Sequence, residues 1–307
     1  MRAAFITALT ELARGDKDIV LVTGDLGFGT FEVFEAEFPN QYFNAGIAEQ
    51  SMIGIASGLA KAGKKVFVYS IGNFVTLRCL EQIRNDACYH DLNVNLVCQG
   101  GGFTYGALGM SHHATEDLAV MRALPNVEVI SPSNPEHTKE ATKDLAYKKG
   151  VSYLRLEKAV EIEVQPTNFV IGRPDYFKTE DADVLIVGVG SIVAEAFDAQ
   201  RSLLTDEIYT SVLDFHSVSC FDQRYVADIL SNYKLVITVE EHQRNGGLGS
   251  IISELIVDYS LNIQLEKLAI ENKLISEVGS QLYLRKVNGL DAVSIHELVK
   301  KKRQCTI

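Results

Sequence analysis

Short runs of apolar residues alternate along the chain with longer segments in which apolar residues recur with the period of a helix. Runs of the first kind predict buried strands at 19–23, 66–69, 94–98, 127–130 and 153–156. Segments of the second kind predict helices, for example at 134–147, where Pro135 stands at the first helical position. Because strands that alternate with helices form parallel sheets, the first half is predicted to be an α/β domain.

The alternation weakens between residues 157 and 180, which contain two prolines, and then resumes. Further strands are predicted at 184–187, 210–215 and 235–239, and an apolar helix is predicted to follow residues 246–250. We therefore predict two consecutive α/β domains with mainly parallel sheets. Their predicted bounds are 1–160 for the first domain, 161–180 for a linker and 181–307 for the second domain.

Two glycine-rich turns in the second half admit a ligand-binding interpretation. Gly188-Val189-Gly190 follows a predicted strand, as in dinucleotide-binding folds, but Val193 stands where the third glycine of that fingerprint belongs. The turn at 246–249 precedes a helix whose N-terminus is a possible anion site. We favour a tight strand-to-helix connection for the second turn and give little weight to a dinucleotide at the first.

Composition excludes several classes of protein. The 307 residues include 29 basic and 40 acidic side chains, and the net charge of −11 argues against nucleic acid or an anionic membrane as the main partner. No apolar run reaches the length of a membrane span, and polar residues interrupt the apolar start of the chain. The five cysteines form no metal-type or redox-type pair, which predicts reduced thiols in a cytoplasmic protein.

Glu49 is the most informative single residue, because it opens an otherwise apolar helical segment with no other charge before Lys61. Three small residues, Gly54, Ser57 and Gly58, predict close packing against that helix. A carboxylate buried there must be ion-paired, ligated or hydrogen-bonded. The segment alone leaves two interpretations open: a structural Glu stabilised by the helix dipole, and a functional carboxylate with a raised pKa.

Further candidate residues follow two of the predicted strands. Phe74 occupies a loop-to-helix position, where its ring either stacks on a flat heterocycle or fills the core, and Arg78 serves either a site or a subunit interface. The glycine-rich segment 99–117 contains the adjacent His112 and His113, which point in different directions and so make no two-ligand metal site. Either one imidazole moves a proton on a substrate oxygen, or both histidines are incidental to a surface loop.

These motifs resemble those of thiamine diphosphate enzymes of the transketolase type. Gly46-Ile47-Ala48-Glu49-Gln50 resembles the glutamate motif of the pyrimidine-binding domain, in which the Glu hydrogen-bonds N1′ of the cofactor's aminopyrimidine and activates the cofactor. Phe74 falls at the position of the aromatic residue that stacks on this ring. The resemblance thus implies thiamine diphosphate as cofactor, with Glu49, Phe74 and Arg78 as its binding residues and Glu49 also catalytic.

The resemblance also assigns substrate-binding residues. Ser111-His112 matches the family's Thr/Ser-His pair, whose His contacts the substrate, so His112 is the second catalytic candidate. His113 stands where the family usually has Gln, and Arg155 matches the arginine that binds the substrate's terminal phosphate. An ion-paired arginine at a strand end is the alternative for Arg155. The segment Glu240-Glu241-His242 before the turn at 246–249 resembles the family's C-terminal domain.

The resemblance further implies a partner. Enzymes of this type hold the diphosphate through Mg²⁺ or Ca²⁺ in another domain, which is marked by Gly-Asp-Gly and a downstream Asn. Asp25 in Gly24-Asp25-Leu26-Gly27 lacks the second glycine and that asparagine. We therefore expect no metal ligand here and a separate diphosphate-binding N-terminal subunit, in an α₂β₂ assembly with self-association through this chain.

Three departures from the family pattern concern the substrate. The family's Gly-Glu-Asp-Gly is replaced by Gly106-Ala107-Leu108-Gly109, which removes an Asp that reads a sugar hydroxyl. Gly100 replaces a His, and Gly29-Thr30-Phe31 stands where a phosphate-binding Arg is usual. We expect transfer of a two-carbon ketol unit, or carboligation, on a specialised ketose- or aldose-type substrate.

Two other functions remain open from the sequence. The β-subunit of a 2-oxo-acid dehydrogenase decarboxylase shares the Gly-x-x-Glu-Gln pattern, although the segment 80–85 is more similar to transketolase. A non-catalytic scaffold subunit is favoured by the substituted Asp and His. Intact Glu49, Phe74 and His112 argue against it.

Overall fold

A computed structural model describes residues 1–27, 29–158 and 169–304 of the chain, without the side chain of Gln304. The described strands are β1 (Ile19–Thr23), β2 (Tyr42–Asn44), β3 (Lys65–Ile71), β4 (Val94–Gln99), β5 (Val127–Ile130), β6 (Val151–Leu156), β7 (Asp175–Phe177), β8 (Val184–Gly188), β9 (Thr210–Asp214), β10 (Leu235–Gln243) and β11 (Gln264–Ile270).

The described α-helices are α1 (Arg2–Gly15), α2 (Glu32–Glu37), α3 (Glu49–Lys61), α4 (Gly72–Val75), α5 (Leu80–Gln82), α6 (Asp117–Arg122), α7 (Pro135–Ala146), α8 (Val193–Thr205), α9 (Gln223–Leu230), α10 (Leu248–Asp258), α11 (Gln281–Val287) and α12 (Ala292–Gln304). A π-helix spans Ile83–Cys88, and 3₁₀ turns span Gly106–Leu108, Met110–His112 and Gly190–Ile192. None of the helices among these residues has the length and apolarity needed to cross a membrane.

The first sheet is parallel throughout and has the order β2-β1-β3-β4-β6-β5. All five predicted strands of the first half are present in it. Strands β1, β4, β5 and β6 are buried along their whole length, which explains why short, mostly apolar runs identified them. Helix α7 begins at Pro135, where the side chain of Asn134 caps it by accepting from the backbone N–H of His137 at 2.9 Å.

The second sheet has the order β11-β10-β8-β9-β7, with only β7 antiparallel to its neighbour. Strand β7 falls inside the segment predicted as a linker, so the second sheet takes its edge strand from there. The predicted boundary at residues 160 and 161 lies outside the described residues. We refer to residues 1–158 as the first domain and to those from 175 onward as the second domain.

The two domains share a continuous apolar core. One cluster of buried residues joins Leu118 and Val129 of the first domain to Leu213 and Leu248 of the second. Backbone hydrogen bonds also cross between the domains, for example from the N–H of Val218 to the carbonyl of Val129 at 2.8 Å. Loops that leave the carboxyl ends of the first sheet therefore lie against the second domain.

Candidate functional site

Glu49 is the first residue of α3 and is buried, as its apolar context predicted. Its side chain is 5% exposed, and its Oε2 accepts a hydrogen bond of 2.7 Å from Nη1 of Arg78. Gly46 adopts a left-handed conformation with φ of +73° just before the helix, which turns the chain out of β2 and into α3. The buried carboxylate is thus compensated by an ion pair within the chain.

The packing around the glycines of α3 differs from the prediction. A Cβ built at Gly54 or at Gly58 meets no atom of the chain within 4 Å. Nearby, Ile47 is 80% exposed and Ile55 is 42% exposed. Nothing within the described part of this chain packs closely against that face, so the small residues leave room for something outside it. We call this surface, formed by Ile47, Gly54, Ile55 and Gly58, the α3 face.

Arg78, Phe74 and His112 continue the cluster that begins at Glu49. The guanidinium carbon of Arg78 lies 4.9 Å from the centroid of the Phe74 ring, and the rings of Phe74 and His112 are 5.3 Å apart at an angle of 64°. Phe74 and His112 follow β3 and β4, which are neighbours in the sheet. The segments that follow the carboxyl ends of β2, β3 and β4 therefore bring four of the predicted residues together.

The two histidines have different surroundings. His112 is half-buried, with Nδ1 at 3.0 Å from Oγ of Ser111 and its ring 6.3 Å from that of Tyr105. His113 is buried, its Nε2 lies 3.2 Å from the carbonyl oxygen of Gly106, and its ring contacts that of Phe103. His113 thus has a structural position in the loop, and we do not retain it among the substrate-binding residues.

Arg155 forms ion pairs within the chain, which was the alternative to phosphate binding. Its side chain is fully buried at the end of β6, where Nε is 2.8 Å from Asp117 Oδ2 and Nη1 is 2.5 Å from Glu157 Oε1. Its Nη2 donates to the carbonyl oxygens of Ala114 and Glu241. Because these partners enclose the guanidinium, it is not available to a substrate phosphate, and we do not retain that role.

A cleft that the sequence did not indicate opens beside His112. It has a volume of about 390 Å³ and is lined by Met1, Arg2, Ala3, Gln99, Thr104, Tyr105, Glu157 and Lys158. Arg2 and Lys158 are exposed cations, and Tyr105 connects the cleft to the ring of His112. Lys158, three positions after Arg155, was the available sequence signal for a cation at this edge of the sheet.

The chain's own carboxylates occupy both glycine-rich turns of the second domain. Glu240 accepts from the N–H groups of Leu248 and Gly249 at 2.7 and 2.8 Å, at the N-terminus of α10. Glu157 accepts from the N–H of Ser191 at 3.0 Å, just after Gly190. The tight-connection interpretation of the turn at 246–249 agrees with this geometry, since Glu240 takes the place of an external anion.

Within the described part of the chain, His137, Asp175 and Asp214 form one buried group of metal-type ligands. Nε2 of His137 lies 3.0 Å from Asp175, whereas Nδ1 lies 3.6 Å from Asp214. Each ring nitrogen of His137 thus faces a different carboxyl group. Burial raises the pKa of Asp214 to about 7, whereas burial lowers the pKa of nearby His216 to about 4.

Comparisons with known proteins agree with this architecture. The model of the transketolase pyrimidine-binding domain matches residues 1–160, and that of the transketolase C-terminal domain matches residues 176–295. A putative transketolase C-terminal section from Methanocaldococcus jannaschii is 35% identical over 98% of this chain and 96% of that protein. One subunit of an apulose-4-phosphate transketolase from Phocaeicola vulgatus is 36% identical over 88% of each chain.

A solved structure gives the same result. A split-gene transketolase, described as an inactive β4 tetramer, superimposes with a TM-score of 0.86 and 33% identity over 98% of this chain and 96% of that one. Family models therefore cover both described sheets, and relatives match nearly end to end. The chain belongs to the transketolase family.

Proposed function

We propose that this chain is the pyrimidine-binding and C-terminal subunit of a split transketolase, which transfers a two-carbon ketol unit with thiamine diphosphate as cofactor. The observation that carries the proposal is the cluster of Glu49, Arg78, Phe74 and His112. Relatives that match along most of their length are named as a section or a subunit of transketolases. The names of these relatives favour this function over a decarboxylase β-subunit.

The residues of the cluster fit the aminopyrimidine half of the cofactor. Glu49 offers a buried carboxylate, and Phe74 offers a partly exposed ring on which a flat heterocycle can stack. When bound, thiamine diphosphate supplies the carbanion chemistry that cleaves and forms a carbon–carbon bond beside a carbonyl. Arg78 contacts Oε2 of Glu49, so we assign Oε1 to the hydrogen bond with the ring nitrogen N1′.

The surroundings of His112 support a role in binding the substrate. Its ring faces Phe74, the residue proposed to stack on the cofactor. On another side it faces Tyr105, which lines the cleft that contains Arg2 and Lys158. We assign His112 to a substrate hydroxyl or carbonyl oxygen, where an imidazole can hold or move a proton. In place of Arg155, we assign Arg2 and Lys158 to an anionic end of the substrate.

The substrate is proposed to be a specialised phosphorylated or otherwise anionic sugar. Leu108 is 58% exposed in the loop that carries His112, and its side chain accepts no hydrogen bond from a sugar hydroxyl. The relative from P. vulgatus is named for a particular phosphorylated sugar, apulose 4-phosphate. These features support a donor or acceptor other than the common pentose phosphates.

The proposed assembly contains a second kind of subunit. We assign the diphosphate and its Mg²⁺ or Ca²⁺ to a separate N-terminal transketolase subunit, in an α₂β₂ complex in which this chain also contacts its own copy. The α3 face supports this arrangement, because Ile47 and Ile55 are exposed near the N-terminus of α3, where Glu49 lies. Buried free thiols at Cys79 and Cys98 support a cytoplasmic location.

The test is reconstitution with a candidate diphosphate-binding subunit. The purified complex is given thiamine diphosphate, Mg²⁺ and a panel of phosphorylated ketose donors and aldose acceptors, and new sugars are identified by mass spectrometry. Cofactor-dependent transfer that is lost in Glu49→Gln would support the function. A stable complex that binds the cofactor but transfers nothing across the panel would favour the non-catalytic scaffold.

A further inference from the structure

The loop that carries His112 is held at both ends by the carboxyl end of β10 in the second domain. At the start of the loop, the N–H of Phe103 donates to Oε2 of Glu241 at 2.8 Å. At its end, the carbonyl oxygen of Thr115 accepts from the N–H of Gln243 at 2.8 Å. Two residues on one strand of the second domain therefore fix both ends of a first-domain loop.

Glu241 is itself held firmly. Its side chain is 1% exposed, and its carboxylate forms an ion pair with Arg285 and accepts from Nε2 of Gln281 at 3.0 and 3.1 Å. Gly102, with φ of +58°, lies against this carboxylate so closely that a Cβ there would overlap it. Glu241 thus connects α11 directly to the start of the loop.

The middle of the loop also contacts the second domain. The carbonyl oxygen of Gly106 accepts from the N–H of Gly279 at 3.2 Å, and the side chain of Leu284 packs against Gly106. The same carbonyl lies 3.2 Å from Nε2 of His113, next to His112. Within the first domain, Asn73 donates to the carbonyl oxygens of Ser111 and His113. Together with that contact, the second-domain contacts at the start, middle and end hold the loop in place, and with it the ring of His112 relative to Phe74.

We infer that Glu241 is a positioning residue for His112, so that the second domain contributes to ketol transfer as well as to assembly. This inference rests on the proposed function of His112. Glu241 touches neither cofactor nor substrate and acts through the N–H of Phe103. Since a displacement of about 1 Å in a catalytic group can cost about 100-fold in rate, loosening this contact reduces turnover.

Glu240 provides a matched control. It is the neighbouring residue on β10 and is also buried, but its carboxylate accepts from two backbone N–H groups that both belong to α10 of its own domain. Glu241→Gln retains the shape of the side chain but offers one oxygen to donors from Phe103, Gln281 and Arg285. Glu240→Gln perturbs stability without touching the loop.

The experiment compares Glu241→Gln and Glu240→Gln in the reconstituted complex. We expect Glu241→Gln to lower kcat/KM by about 10- to 100-fold, while the dissociation constant of thiamine diphosphate changes by less than about 3-fold. Glu240→Gln is expected to lower the melting temperature but to keep kcat/KM of the folded complex within about 3-fold of the wild type. Equal kcat/KM in the two variants would overturn the inference.

A second measurement needs no turnover. Amide hydrogen exchange in segment 103–113 of the isolated chain should be about 10-fold faster in Glu241→Gln than in Glu240→Gln. If Glu241→Gln fails to fold, Gln281→Leu removes one donor to Glu241 and should give a smaller increase in the same segment. Unchanged exchange would overturn the inference. An inactive wild-type complex would instead contradict the proposed function, and hydrogen exchange would still test whether Glu241 holds the loop in place.

Discussion

The guanidinium of Arg78 lies 2.7 Å from the carboxylate of Glu49. The carboxylate is buried and the guanidinium is half-exposed, so the pair extends from the interior of the first domain to its surface. An unpaired carboxylate at this depth would be costly. Arg78 therefore compensates the charge of Glu49 in the isolated chain, and in the proposed function the cofactor would share Glu49 with Arg78.

A double-mutant cycle tests this ion pair. Glu49→Gln, Arg78→Met and the double variant are unfolded in urea, and the coupling free energy is calculated from the four chains. Because Arg78 is half-exposed, we expect a coupling of about 1 kcal/mol and a smaller value at high salt. Additive effects of the two substitutions would show that the pair contributes nothing to the free energy of unfolding.

Substitution of His112 is predicted to change activity, whereas substitution of the adjacent His113 is predicted to change stability. His112→Asn should lower kcat of the complex by about 100-fold with little change in melting temperature, because His112 is half-buried at the site. His113→Asn should mainly lower stability, by about 1–3 kcal/mol, since His113 is buried against Phe103 and Gly106. Loss of activity in His113→Asn without loss of stability would contradict these assignments.

Arg155 and Lys158 form a second contrasting pair. Arg155→Met leaves Asp117 and Glu157 buried without their cation, so we expect a loss of about 3–5 kcal/mol in the free energy of unfolding. Lys158→Met should raise KM for an anionic substrate by about 10-fold and leave the melting temperature unchanged. If Arg155→Met folded normally and only KM rose, Arg155 would be the phosphate residue after all.

The buried group of His137, Asp175 and Asp214 predicts a dependence of stability on pH. Burial raises the pKa of Asp214 from an ordinary value of 3.8 to about 7, so the folded chain keeps a proton that the unfolded chain releases. The stability from this proton is present at low pH and is lost as the pH rises towards 7. Asp214→Asn should therefore become more stable relative to the wild type between about pH 4 and pH 7.

Urea unfolding of both chains across that range measures the difference. Burial lowers the pKa of His216 to about 4, which has the opposite sign, because a buried neutral His loses stability as the pH falls. His216 is present in both chains, so the difference between them reports Asp214 together with the neighbouring His137, whose charge interacts with that of Asp214. Parallel stability curves would show that Asp214 does not hold this proton in the folded chain.

The features predicted best were those with a strong local signal. Buried parallel strands such as β4 are short, mostly apolar runs, and α7 begins with Asn-Pro. The short β2 and the half-exposed β11 have no such signal, because pairing with a neighbour defines them. Strand β7, within the predicted linker, was missed for the same reason.

Side-chain partners were less predictable than strands. The sequence placed Arg155 at a strand end, but Asp117 is 38 residues away, and only the fold shows that the two meet. The loop position of Phe74 and the helix start at Glu49 were visible, yet their connection through Arg78 depends on how α3 packs beside β3. The small residues of α3 predicted close packing, but no atom of the described chain lies within 4 Å of a Cβ built at Gly54 or Gly58.

The most direct test of the central claim is a calorimetric titration of thiamine diphosphate with Mg²⁺. It is performed on this chain alone, on its complex with the candidate diphosphate-binding subunit, and on the same complex carrying Glu49→Ala. The account predicts tight binding only in the complex, weakened by about 10-fold or more when Glu49 is removed. Absence of binding in a verified stable complex, or equal binding by the Glu49→Ala complex, would contradict it.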